Sequence, residues 1–210
     1  QNGLITGIIF PEGMSDAEKL KFEAKIFLEI NSSQARVKSD LRQEINAIWN
    51  PFAAEAIARR VIRALNDKHG PLQDQFERFF FEQNKLKTTS IVSFGLRPLV
   101  SPFSDWGLFG RWDPAKQAKL KDGKDETALA EYIEHCRSEV NTIFSAFKKH
   151  LPNGAWTADR SVEGNFLNTT NVNGVIALLR RIAKDGDTYD FSGYDEKLNG
   201  VAGFTFDFKS

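Results

Sequence analysis

A single cysteine in 210 residues excludes an internal disulfide framework. That residue, Cys136, falls on the apolar stripe of a helical pattern and reads as a small buried hydrophobe rather than a nucleophile. A reducing compartment fits, so a cytoplasmic location is expected. Net charge is also missing, because 28 Lys+Arg stand against 28 Asp+Glu. No whole-molecule field then steers the chain onto DNA or an anionic membrane, and any nucleic-acid contact needs a local patch. No apolar run approaches the roughly 18 residues of a membrane span, and no secretory signal pattern is visible, so no membrane partner is expected. The sequence has no metal-ligand cluster, nucleophile elbow or phosphate loop. His69, His135 and His150 sit in unrelated contexts, and Glu134-His135 lacks a second histidine at helical spacing. Asp185 and Asp187 sit at a turn after a helix, where polar residues are ordinary. No catalytic residue, metal or cofactor is expected. There is no internal repeat and no low-complexity stretch.

What is present is an ordinary globular composition, 41% hydrophobic and 27% charged, which argues against disorder. The length suits one large domain or two small ones. Residues 4–10 form a short β-branched apolar run ending at Pro11, which predicts a buried strand. Ser15 and Glu18 have capping-box spacing, and a helix with a wide apolar surface follows. Ser39 caps a second helix carrying Leu41, Ile45, Ile48 and Trp49, and Asn50-Pro51 reads as the N-cap and first position of a third. Residues 76–81 fit a short strand with a turn at Asn84-Lys85, and their Phe cluster reads as core. Residues 88–100 suit strand or helix equally. Residues 101–124 read as an irregular insertion, with Trp106 and Trp112 giving it some order. Its Lys116, Lys119, Lys121 and Lys124 read as a mobile loop. The clearest periodicity runs over 126–151, and another helix spans about 170–184 with Gly186 past its end. Arg180-Arg181 and Lys148-Lys149 read as helix surface. Alternation in 204–208 predicts an extended segment.

The segment from Phe27 to Lys38 is the most informative. A periodic helix is expected to break there into Asn31, Ser32, Ser33 and Gln34, followed by the cations Arg36 and Lys38. Amides, hydroxyls and free backbone N–H groups gathered between two helices would suit phosphate oxygens. A plain C-cap followed by an N-cap explains the same residues, and both hold together where exposed caps bind anions. Residues 34–63 carry Arg36, Lys38, Arg42, Arg59, Arg60 and Arg63 against Asp40, Glu44 and Glu55, a local surplus of three positive charges. This is the best candidate for a DNA-facing patch, and a solvated helix face is the plain alternative.

Phe27, Ile30, Asn31, Gln34 and Val37 match the text Phe-x-x-Ile-Asn-x-x-Gln-x-x-Val. In this the chain resembles the DGQHR-domain proteins, among them the B component of Dnd DNA-phosphorothioation systems. The specific match covers about residues 4–70. Asp-Gly-Gln occurs nowhere, and the first residue is Gln1 rather than Met. The resemblance therefore implies a fragment, the C-terminal portion of such a protein without the name-giving motif. It implies a mainly α (α+β) fold, with a short strand and a helix pair from a ParB-like core packed on a helical bundle. Residues 1–70 would form the core remnant and 71–210 a helical domain. The expected function is non-catalytic, DNA-binding or regulatory, in DNA modification or phage defence. The expected partners are DNA or a nucleotide and other subunits of such a system. The residues assigned to that binding are Asn31, Ser32, Ser33, Gln34, Arg36, Lys38, Arg59, Arg60 and Arg63. Two alternatives stay open: part of a nucleotide-hydrolysing ParB-like enzyme whose catalytic motif lies upstream, and a helical protein-interaction scaffold.

Overall fold

The computed structural model describes residues 10–34, 48–78, 82–186 and 188–200. Among them the protein is mainly helical and forms no β-sheet; of the strand expected at 76–81, Phe76 makes an isolated bridge to Leu86, and residues 79–81 lie outside the described residues. The strand expected at 4–10, the helix expected to start at Ser39 and the extended 204–208 lie outside the described residues, apart from the ends of the first two. Phe10 itself belongs to no regular element.

Helix α1 spans Asp16–Gln34. Its start is the capping box the spacing predicts: the Ser15 N–H donates to Glu18 Oε2 at 2.9 Å, and the Glu18 N–H to Ser15 Oγ at 3.3 Å. Its far end departs from expectation, because the helix runs through Asn31–Gln34 instead of breaking at Asn31. Asn and Ser cost at most about 0.7 kcal/mol each in a helix relative to Ala, and no Gly or Pro interrupts this run.

Helix α2 spans Ala54–Asp67 and starts later than Asn50-Pro51 suggested. Asn at the first and Pro at the second position are also a turn signature. The chain uses them that way: the Ala53 N–H donates to the Asn50 carbonyl at 3.1 Å, and Ala53 becomes the N-cap. Residues 88–99 resolve to a helix, α3, whose α-helical ends Thr88–Ser90 and Arg97–Leu99 flank a π-helical middle, Ile91–Leu96. Pro98 cannot donate to the carbonyl four residues back, and a π register accommodates such a fault. Burial of Ile91, Val92, Leu96 and Leu99 against helices on both sides overrides the strand propensity.

The insertion is more ordered than its composition suggested. A 3₁₀ turn, Leu108–Arg111, leads into helix α4, Pro114–Lys121, where Asp113 accepts from the Ala115 N–H. The lysines read as a mobile loop therefore sit in part on a helix, and Lys116 pairs with Glu131 at 2.7 Å. Helix α5, Glu126–His150, matches the strongest periodicity and is capped by Asp125. Helix α6, Thr169–Asp185, is capped by Asn168 and closed by Gly186 at φ 103°, a left-handed cap that favours glycine. A short helix that the sequence did not suggest, α7 (Phe191–Lys197), starts at Asp190.

The core gathers around α5, which packs on α2, α4, α6 and α7. Its Leu129, Tyr132, Cys136, Val140, Ile143 and Phe144 are fully buried. Each large apolar side chain so buried is worth about 1.5–3 kcal/mol. Ile57, Val61 and Leu65 of α2 join the same hydrophobic cluster as Val172, Ile176 and Leu179 of α6. One core is thus shared across residue 70, where a domain boundary was expected. Buried polar groups tie the loops down: the Asn66 side chain exchanges two hydrogen bonds with the Phe76 backbone, and Trp156 Nε1 donates to the Pro71 carbonyl at 2.8 Å.

Candidate nucleic-acid interface

Asn31, Ser32, Ser33 and Gln34 lie within α1, at the end of this stretch of described residues. Inside a helix their N–H groups serve the preceding turn. The backbone donors expected at this junction are therefore not there, and an anion reading of these residues rests on their side chains. Arg36 and Lys38 lie outside the described residues. Among the described residues α1 makes no extended contact with α2. From Asp16 to Lys25 it is mostly solvent-facing, with Leu20 50% and Phe22 42% exposed.

Arg59, Arg60 and Arg63 do come together on one flank of α2, opposite its buried stripe of Ile57, Ala58, Val61, Ile62 and Leu65. They are also drawn into the fold. Half-buried Arg59 donates to Thr88 Oγ1 at 3.3 Å, which joins α2 to the start of α3. Arg60 lies 3.6 Å from Glu126, at the first turn of α5. Arg63 is exposed.

Titratable groups with displaced equilibria cluster on α5. Glu134 is held down to about 2, first by the Arg137 guanidinium and then by Lys68, while burial opposes the shift. Burial lowers His135, whose ring stacks on Tyr132, and raises Glu139. Burial also pushes the Cys136 thiol up and Tyr194 up to about 12. A thiol in that state is inert at neutral pH. Apart from Glu134, whose side chain is 45% exposed, these are at least partly buried packing positions, and no group of three or more His, Cys, Asp or Glu able to hold a metal occurs among the described residues. Nor is any helix there long and apolar enough to cross a membrane.

A second surface was missed in the sequence. Phe94, Phe103 and Trp106 are 75%, 77% and 59% exposed, although most aromatic residues among the described ones are buried or half-buried. Lys184 of α6 lies over the Trp106 ring, 4.4 Å from its centroid. Three large aromatics within 13 residues, two of them in a Pro/Gly-containing loop, are the only sequence signal for this patch. Comparison with protein-family models, with curated proteins and with solved structures finds no match.

Proposed function

We propose that this chain acts by binding rather than catalysis, as a DNA-associated or regulatory element of the DGQHR type in DNA modification or phage defence. The observation that carries the reading is the Phe27–Val37 text, which begins on α1, a helix whose Leu20 and Phe22 are not spent on the core. The side chains of Asn31, Ser32, Ser33 and Gln34, with Arg36 and Lys38, would contact phosphates, and Arg59, Arg60 and Arg63 would add positive charge. The test is a salt titration of duplex DNA binding followed by anisotropy. Binding should weaken linearly in log[salt], and Arg63→Glu should reduce the slope by about 1. Failure to bind duplex at low salt removes the reading.

A helical interaction scaffold is the second reading, favoured by the Arg60–Glu126 contact, which uses that arginine inside the fold. It predicts a stable protein complex that survives charge reversal at Arg59 and Arg60.

A further inference from the structure

The loop that carries two of the exposed aromatics meets a face of α6 that bears two cations. Along α6, Asn173, Ala177, Arg180 and Lys184 recur at the spacing of one helix face. The two ends of that row are pinned to the 94–106 segment. A Cβ on Gly95 would lie 2.5 Å from Asn173 Oδ1, and Lys184 stands over Trp106. At about 1.5 Å per residue these two points are roughly 16 Å apart, with Arg180 between them. Arg97, three residues after Phe94 in α3, is exposed as well. Arg97 and Arg180 make no ion pair or hydrogen bond among the described residues. Asp105 is the acidic residue next to Trp106, and Arg181 turns away to pair with Asp185 at 2.8 Å.

The strip therefore offers exposed aromatic faces together with cations that are in no ion pair among the described residues. A duplex hides its base faces, whereas single strands present them for stacking and still carry a phosphate on every residue. A cation over an indole adds charge to the stacking platform without covering both faces. We propose that Phe94, Phe103 and Trp106, with Arg97, Arg180 and Lys184, form a binding strip for single-stranded nucleic acid. This strip is distinct from the α1–α2 residues assigned above and does not depend on them.

Trp106 supplies its own reporter. Titration with an oligothymidylate should quench indole emission, and Trp106→Phe should abolish most of that quench while Trp49, Trp112 and Trp156 still emit. Trp106→Ala and Phe94→Ala should each weaken binding by roughly tenfold, and Arg180→Glu should weaken it and flatten its salt dependence. Arg63→Glu should leave oligothymidylate binding unchanged, which separates this strip from the duplex reading above. Unchanged affinity in the aromatic variants, with native circular dichroism retained, overturns the proposal. So does a Trp106 response to phosphatidylserine vesicles but not to the oligonucleotide, since that outcome identifies a membrane-surface face instead.

Discussion

Two glycine-to-alanine changes should move stability in opposite directions, and the structure gives both magnitudes. Gly107 closes the loop that carries Phe103 and Trp106. A Cβ there would overlap the Leu99 carbonyl oxygen and come within 3.0 Å of its carbon. Both obstacles are backbone, so no side chain can swing aside. Gly107 has φ −133° and ψ −164°, which alanine also adopts, so the cost is steric rather than conformational. Forcing a methyl into a packed site costs about 1–3 kcal/mol. For a protein of this size that lowers Tm by about 2–4 °C per kcal/mol, or roughly 2–12 °C in all. Gly174 lies on the exposed side of α6, and a Cβ there would meet nothing within 4 Å. Alanine at that position gains about 0.8–1 kcal/mol of helix propensity, or roughly 2–4 °C. Calorimetric melts of the two variants and wild type decide the matter. A Gly107→Ala variant that melts within a degree of wild type would refute the account of loop closure, and a Gly174→Ala variant that melts lower would refute the placement of α6's outer face.

Tyr132→Phe removes the hydroxyl that donates to the buried Val100 carbonyl at 3.1 Å. The variant should lose about 1–2 kcal/mol in urea denaturation, because the carbonyl is left unpaired. Glu134 lies 2.9 Å from Lys68 and also pairs with Arg137, joining the end of α2 to α5. Its folded pKa is depressed from 4.5 to about 2. The stabilisation is thus fully present above about 4.5 and is lost as pH falls through about 2. Taken at face value the shift is worth about 3 kcal/mol, but the side chain is 45% exposed, and screening reduces the contribution to about 1 kcal/mol. Glu134→Gln should cost that much at pH 7, with the gap to wild type closing as the solution is acidified toward pH 2. Glu139 has the opposite sign, since burial raises its pKa and its Oε2 has no hydrogen-bond partner. Ionising it as pH rises through and above the ordinary carboxylate range therefore costs stability. Glu139→Gln should raise Tm at pH 7 and change little below that range, which a pair of melts at pH 7 and pH 3 would show.

Long amphipathic elements were legible because burial and period agree. The stripe from Leu129 to Phe147 and the one from Val172 to Leu179 each point one face at one core, and each helix lies within a residue or two of where the stripe put it. Short signals with two meanings were not legible. Asn50-Pro51 suits a helix start or a turn, and the Thr/Ile/Val content of 88–92 suits a strand until neighbours on both sides make it a helix. The 3₁₀ turn and α4 were hidden by local Pro and Gly, because Trp112 and Leu120 earn their places only by reaching α5 and the core. Helix α7 has no apolar period of its own. It is held by Asp195, which takes Lys149 at 2.6 Å and His150 at 2.9 Å from the end of α5.

The candidate sites show why residue type alone misplaces binding. Asn31–Gln34 suggests a cluster of donors, yet inside α1 its backbone N–H groups serve the preceding turn. Arg180 was set aside as helix surface, yet the α6 register puts it between the Gly95 contact and the Lys184–Trp106 pair. The aromatic residues of the proposed strip lie 74 to 86 positions earlier in the chain, a distance at which no local pattern can announce them. The exposed Phe94 and Trp106 carry the stronger physical argument for that reason. Burying them against a ligand recovers apolar area that folding leaves in water, whereas Arg59 and Arg60 already hold Thr88 and Glu126. A ligand at the arginine flank must compete with those contacts. A ligand at the aromatic strip displaces only water, so affinity measured at matched low salt should be greater for the single strand than for the duplex.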